Sequence, residues 1–177
     1  MYQSVINVES QILADFLRYL FPPGEGSDMC RVSVSRPVGA LMVAFAQPSV
    51  MPCPVSGDHL VQLDIPWYRN ATSSLTDHYV YFSKEASARI NLALKAEFDL
   101  DFAGYYRRGE ELGMRKMDII EAYIFSRRLA PVNYDTLHKR VFRNQLRAQE
   151  KIKQRLFRKA YYLNESINYD GLTFDKS

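Results

Sequence analysis

The sequence is poor in the residues that most often carry chemistry: two cysteines, three histidines and one tryptophan in 177 residues. Two cysteines cannot build a disulfide framework, and Cys53, between Pro52 and Pro54, belongs to a loop. Two free thiols in a reducing compartment are expected, hence a cytoplasmic protein. His59, His78 and His138 have no His or Cys partner at a metal-ligand spacing. His59 and His78 each follow an aspartate. Strand neighbours point to opposite faces, so neither pair shares a ligand easily. No phosphate-binding glycine loop and no nucleophile elbow occurs. His138 is followed three residues on by Val141, so the His-x-x-Arg element of a tyrosine recombinase is missing. We therefore expect no catalytic residue, no metal and no cofactor, and a protein that is not an enzyme.

Other scarcities narrow the class. Eight glycines and eight prolines are too few for a collagen-like or linker-rich chain. No apolar run approaches ~18 residues, so no membrane span is read. The stretch from Met1 to Phe21 has no cationic start and is interrupted by Glu9 and Asp15, unlike a signal peptide. Charged residues at 24% and apolar ones at 47% fit an ordinary folded core.

What the chain does have is an uneven charge. Residues 1–106 carry 7 Lys/Arg against 11 Asp/Glu, whereas residues 107–160 carry 15 against 6. Asymmetry of this kind points to a polyanionic partner for the basic half, or to a basic surface answered by the acidic half of the same fold. Two parts are expected: an α+β part over 1–106 and a basic helical part over 107–177. The alternative is that both fold as one compact domain.

Periodicity assigns the elements. Ile12, Leu13, Phe16, Leu17 and Leu20 recur at helical spacing, which predicts a helix over about 8–20, capped by Asn7 and stopped by Pro22-Pro23-Gly24. Residues 29–35 alternate and predict a strand. The apolar run 40–46 predicts a second, central strand, joined to the first as a hairpin through Arg36-Pro37-Val38-Gly39. Val61, Leu63 and Ile65 mark a third strand over 59–65, and 78–82 a fourth. From Ser83, an N-cap residue, the period becomes helical, with Ile90, Leu94, Phe98 and Phe102 at steps of four. Gly104, Gly109 and Gly113 predict a break near 99–114. A helix over about 115–128 and a last helix over 134–163, about 45 Å long and capped by Asn133, follow. The expected fold is α+β: an N-terminal helix with a small, mainly antiparallel sheet of three or four strands, then a helical C-terminal part.

The last helix carries the functional signal. Arg140, Arg143, Arg147, Lys151, Arg155 and Arg158 follow one another at steps of three and four and fall along one line. Val141, Ala148, Ile152, Leu156, Ala160 and Leu163 cluster on another face. Only Glu150 is acidic between 139 and 159, so the cations repel each other with little internal relief. Phosphates would remove that repulsion. Five of the six are arginines, whose forked guanidinium suits phosphate and guanine. Helix, short connection and helix give the outline of a helix-turn-helix unit, without the usual turn glycine. The expectation is a non-enzymatic DNA-binding or regulatory protein that would meet duplex DNA through these six residues. The alternative is a protein–protein interaction or assembly module. It would use the long helix, with self-association through it, and the aromatic residues Trp67, Tyr68, Tyr79, Tyr81 and Phe82. A membrane surface is not expected as a partner.

Overall fold

The computed structural model describes residues 2–24, 26–66, 79–143 and 151. Two compact units are present, Met1–Tyr134 and Asp135–Ser177.

The first unit is α+β, with a mixed sheet of five strands: β1 (Tyr2–Asn7), β2 (Cys30–Arg31), β3 (Gln47–Ser49), β4 (Leu60–Ile65) and β5 (Tyr79–Tyr81), in the order β2-β4-β1-β5-β3. The central pair, β1 and β4, is antiparallel over six residues, from Tyr2 opposite Ile65 to Asn7 opposite Leu60. β3 and β5 are also antiparallel, but β2 runs parallel to β4, and β5 parallel to β1. The sheet is thus larger and less uniformly antiparallel than periodicity predicts.

Alternation sets the sheet's two faces. Ser4, Ile6, Val61, Leu63 and Ile65 are buried, while Gln3, Leu60 and Gln62 are exposed. Helix α1 (Gln11–Leu20) packs on β4 and on α3 (Lys84–Glu111), where Phe16 meets Phe98 edge-on with ring centres 5.2 Å apart. The Ser83 hydroxyl accepts the Ala86 N–H at 3.2 Å, so the cap at the start of α3 is the expected one. Ile90, Leu94, Phe98 and Phe102 are buried as their spacing requires. Asn91 ties α3 to the sheet. Its Nδ2 donates to the carbonyls of Asn7 and Ser87, and its Oδ1 accepts the Glu9 N–H.

Three expectations give way. Residues 37–45 form a helix, α2 (Pro37–Phe45), not a strand, so the expected hairpin with 29–35 does not exist. Pro37 is at the first turn, where its missing N–H and fixed φ favour a helix. A short apolar run cannot by itself distinguish a buried helix from a buried strand. Of the strand expected over 29–35 only Cys30–Arg31 pairs, and residues 34–36 turn at the surface into α2. Finally, α3 does not break near 99–114 but continues to Glu111. Its glycines have other reasons. Gly109 lies where a Cβ would come within 2.6 Å of the Ile119 side chain, and Gly113 adopts a left-handed φ of 72° just beyond the helix.

α4 (Lys116–Ser126) packs on α3, with Ile119, Ile120 and Tyr123 buried. A 3₁₀ turn, Pro131–Asn133, follows, and residues 134–143 are helical (α5), as is Lys151. Asn133 does not act as the expected simple cap. It is buried in the 3₁₀ turn, and its Nδ2 donates to Asp15 at 3.1 Å.

Candidate nucleic-acid interface

Of the six predicted cations, Arg140, Arg143 and Lys151 are among the described residues; Arg147, Arg155 and Arg158 lie outside them. Over α5 the helical period separates two kinds of side chain. Leu137 and Val141, four apart, are buried at 0% and 6% exposure. Lys139 and Arg143, also four apart, are exposed, and Arg140 is half-buried. Lys151 is helical and exposed. The Arg143 side chain donates to the Lys139 carbonyl of its own helix, at 3.5 Å. No carboxylate lies within ion-pair distance of Lys139, Arg143 or Lys151 among the described residues. His138 stacks beside Phe142 with ring centres 5.0 Å apart.

The first unit holds a second cationic feature, a cleft of about 420 Å³ lined by Asp15, Arg18, Tyr19, Pro22, Pro23, Ser126 and Arg128. Its geometry follows from how α4 ends. The Arg128 N–H donates to the Phe125 carbonyl at 3.2 Å and the Leu129 N–H to that of Ile124 at 2.9 Å, a Schellman ending. Such an ending needs a left-handed residue, and Arg128 supplies it at φ 54° where glycine is usual. Asp15 holds the chain just beyond. Its carboxylate accepts from the Ala130 N–H at 3.0 Å, Asn133 Nδ2 at 3.1 Å, Gln11 Nε2 at 2.7 Å and Arg18 at 3.3 Å. Arg18 is one of those four donors, and its NH2 also donates to the Leu60 carbonyl at 3.4 Å, so this arginine of the cleft is answered from within the fold.

The densest polar cluster is one that no local pattern announces. Arg127 grips Asp101 with two bonds, Nε to Oδ2 at 2.8 Å and NH2 to Oδ1 at 3.0 Å. Its guanidinium lies over the rings of Tyr19, Tyr105 and Tyr123, at 4.8, 5.5 and 5.6 Å from their centres. The Tyr123 hydroxyl donates to Asp101 at 3.0 Å. Burial, and then the Asp101 charge and this bond, hold the Tyr123 hydroxyl in its neutral form well beyond the usual tyrosine range. Asp101, Arg127 and the Tyr123 hydroxyl answer one another, and the ring contacts of Arg127 add Tyr19, so the cluster clamps α1, α3 and α4 together. Asp101 and Arg127 are 26 residues apart, and only the α3–α4 packing brings them together.

The carboxylates Glu97 and Asp101 serve separate cations, Arg36 at 3.7 Å and Arg127 at 2.8 Å. Among the described residues no group of three or more His, Cys, Asp or Glu could hold a metal ion. No described helix is long and apolar enough to cross a membrane. Of the aromatic residues assigned to an interaction module, Tyr79, Tyr81 and Phe82 are half-buried, and Trp67 and Tyr68 lie outside the described residues. The exposed face of the sheet instead bears a hollow of about 160 Å³ lined by Gln3, Val5, Gln62, Tyr79 and Cys53, among others.

No protein-family model, no curated protein and no solved structure matches this chain.

Proposed function

We propose that this is a non-enzymatic, regulatory nucleic-acid-binding protein. Its contact with duplex DNA would run through Arg140, Arg143, Arg147, Lys151, Arg155 and Arg158. One observation carries this reading: in α5 the apolar residues Leu137 and Val141 are buried, while Lys139 and Arg143 are exposed with no carboxylate in ion-pair reach among the described residues. A cationic ridge without internal counter-charges is relieved by phosphates, whose bound counterions are released on contact. Between residues 139 and 159 the sequence carries nine Lys/Arg and one Glu, so the imbalance extends well past α5.

Fluorescence anisotropy with a labelled duplex across a salt series tests this. Six phosphate contacts give a slope of log K on log salt of about −5. Charge reversal of Arg140, Arg143 and Arg147 to Glu abolishes binding. Absence of binding at low salt, or binding unchanged by the reversal, sinks the proposal.

A second reading, an interaction or assembly module, is favoured by large apolar side chains left at the surface. Phe125 is 87% exposed, and Leu92 and Leu100 on α3 are 69% and 75% exposed. Single exposed apolar residues are commonplace, but a row of them on one long helix is a mark of contact.

A further inference from the structure

Helix α3 buries one side and leaves the other bare. Along its outer side Glu85, Arg89, Leu92, Ala96, Leu100, Ala103 and Arg107 are all exposed, with Arg89 turned toward the Phe45 ring. The row is apolar from Leu92 to Ala103, with Glu85 and Arg89 before it and Arg107 after it. Its spacing is symmetric about Ala96. Leu92 and Leu100 stand four residues, about one turn, to either side. Glu85 and Arg107 stand eleven residues to either side, which is three turns to within about 20°. Glu85, Ala96 and Arg107 therefore lie close to one line. Alanines at 96 and 103 keep the middle of that line low enough for another helix to approach closely.

We propose that this face of α3 docks on the same face of a second copy, antiparallel, about a two-fold axis through Ala96. A two-fold contact sets residue i opposite residue j and j opposite i. With Ala96 on the axis, Leu92 comes level with Leu100 of the second copy, and Glu85 with Arg107 of the second copy, each pair occurring twice. The charge pattern chooses the occupant. A parallel copy would bring Glu85 against Glu85 and Arg107 against Arg107, whereas the antiparallel copy answers both. Glu85 makes no ion pair among the described residues, and Arg107 reaches only Glu111, at 3.4 Å, with both side chains largely in solvent. The contacting stretch of 85–107 is about 33 Å long, enough for a continuous helix–helix seam. This inference is independent of nucleic-acid binding.

Sedimentation equilibrium of the full chain, with and without nucleic acid, provides the test. The expected result is a dimer at protein concentrations of about 100 μM. Leu92→Glu abolishes it, while the far-ultraviolet circular dichroism stays that of the wild type because the side chain is at the surface. Glu85→Arg and Arg107→Glu each weaken the dimer about tenfold, since each sets two like-charge pairs across the seam. An equimolar mixture of those two single variants regains dimerisation, because both trans pairs are then opposite in charge. The double variant Glu85→Arg/Arg107→Glu regains it too. A monomer at all concentrations overturns the proposal. So does a dimer indifferent to Leu92→Glu, which places the contact elsewhere. Failure of the mixture to recover, with both single variants folded, also overturns it, since the register would then be wrong.

Discussion

Two glycines five residues apart in α3 respond in opposite directions to the same substitution. At Gly104 nothing lies within 4 Å of where a Cβ would stand. Alanine there meets no neighbour and removes the conformational freedom that glycine gives the unfolded chain. Gly104→Ala stabilises by about 0.5–1 kcal/mol, or about 2–4 °C per kcal/mol in a chain of this size. At Gly109 a Cβ would stand 2.6 Å from Ile119 Cγ1, 2.7 Å from Cδ1 and 3.0 Å from Cγ2. Ile119 is fully buried and cannot swing into solvent. Overpacking of this kind costs about 1–3 kcal/mol and outweighs the gain in helix propensity. Gly109→Ala is therefore destabilising by about 1–2 kcal/mol net. Urea unfolding followed by circular dichroism at low protein concentration measures both. The cycle with Ile119→Ala isolates the cause, because Gly109→Ala loses its penalty once the isoleucine branches are gone. If Gly109→Ala stabilises as Gly104→Ala does, α4 does not press on α3 at this point. The explanation of why α3 tolerates its glycines then fails.

Other consequences can be measured independently. Asp101→Asn leaves the Arg127 guanidinium with half its bidentate partner among three tyrosine rings, and costs about 2 kcal/mol by the same urea assay; a loss below a few tenths means the clamp contributes nothing. The Tyr123 hydroxyl is neutral in the fold beyond its ordinary range around pH 10, so the unfolded chain loses that proton first. Its contribution to stability is complete below pH 10 and is lost progressively above it. Tyr123→Phe should flatten the alkaline decline in urea midpoint, and an unchanged decline would place its origin elsewhere. Cys30 is buried, and burial pushes its thiol above the usual range, whereas Cys53 is half-exposed. A thiol reagent at pH 8 should modify one cysteine quickly in the native protein and two after denaturation; rapid modification of both contradicts the placement of Cys30 in the sheet. At Arg128, in the left-handed C′ position of α4, glycine should be more stable than alanine by about 1 kcal/mol, the reverse of the order in a helix interior.

Where a segment's environment repeats with its own period, the amino-acid order alone is decisive. Val61, Leu63 and Ile65 alternate because β4 has one face in the core, and Ile90, Leu94, Phe98 and Phe102 step by four because α3 has one side there. The Ser83 cap and the cationic side of α5 are local in the same sense, since side-chain type and spacing define them without reference to distant residues. β1 alternates in burial, Ser4 and Ile6 inward and Gln3 outward, but its inward face carries a serine and its other face Val5, so its hydrophobicity does not alternate. Only the folded chain could choose between helix and strand for 37–45, because an apolar run of that length satisfies either. The same holds for the parallel placement of β5 beside β1, which depends on a connection rather than on the strands themselves. The Asp101–Arg127 clamp and the Ala130 and Asn133 donors on Asp15 arise from contacts between elements remote in sequence. Pairing of that sort leaves no periodic trace, because each partner is a single residue whose role is fixed only once packing has brought the other within hydrogen-bond reach.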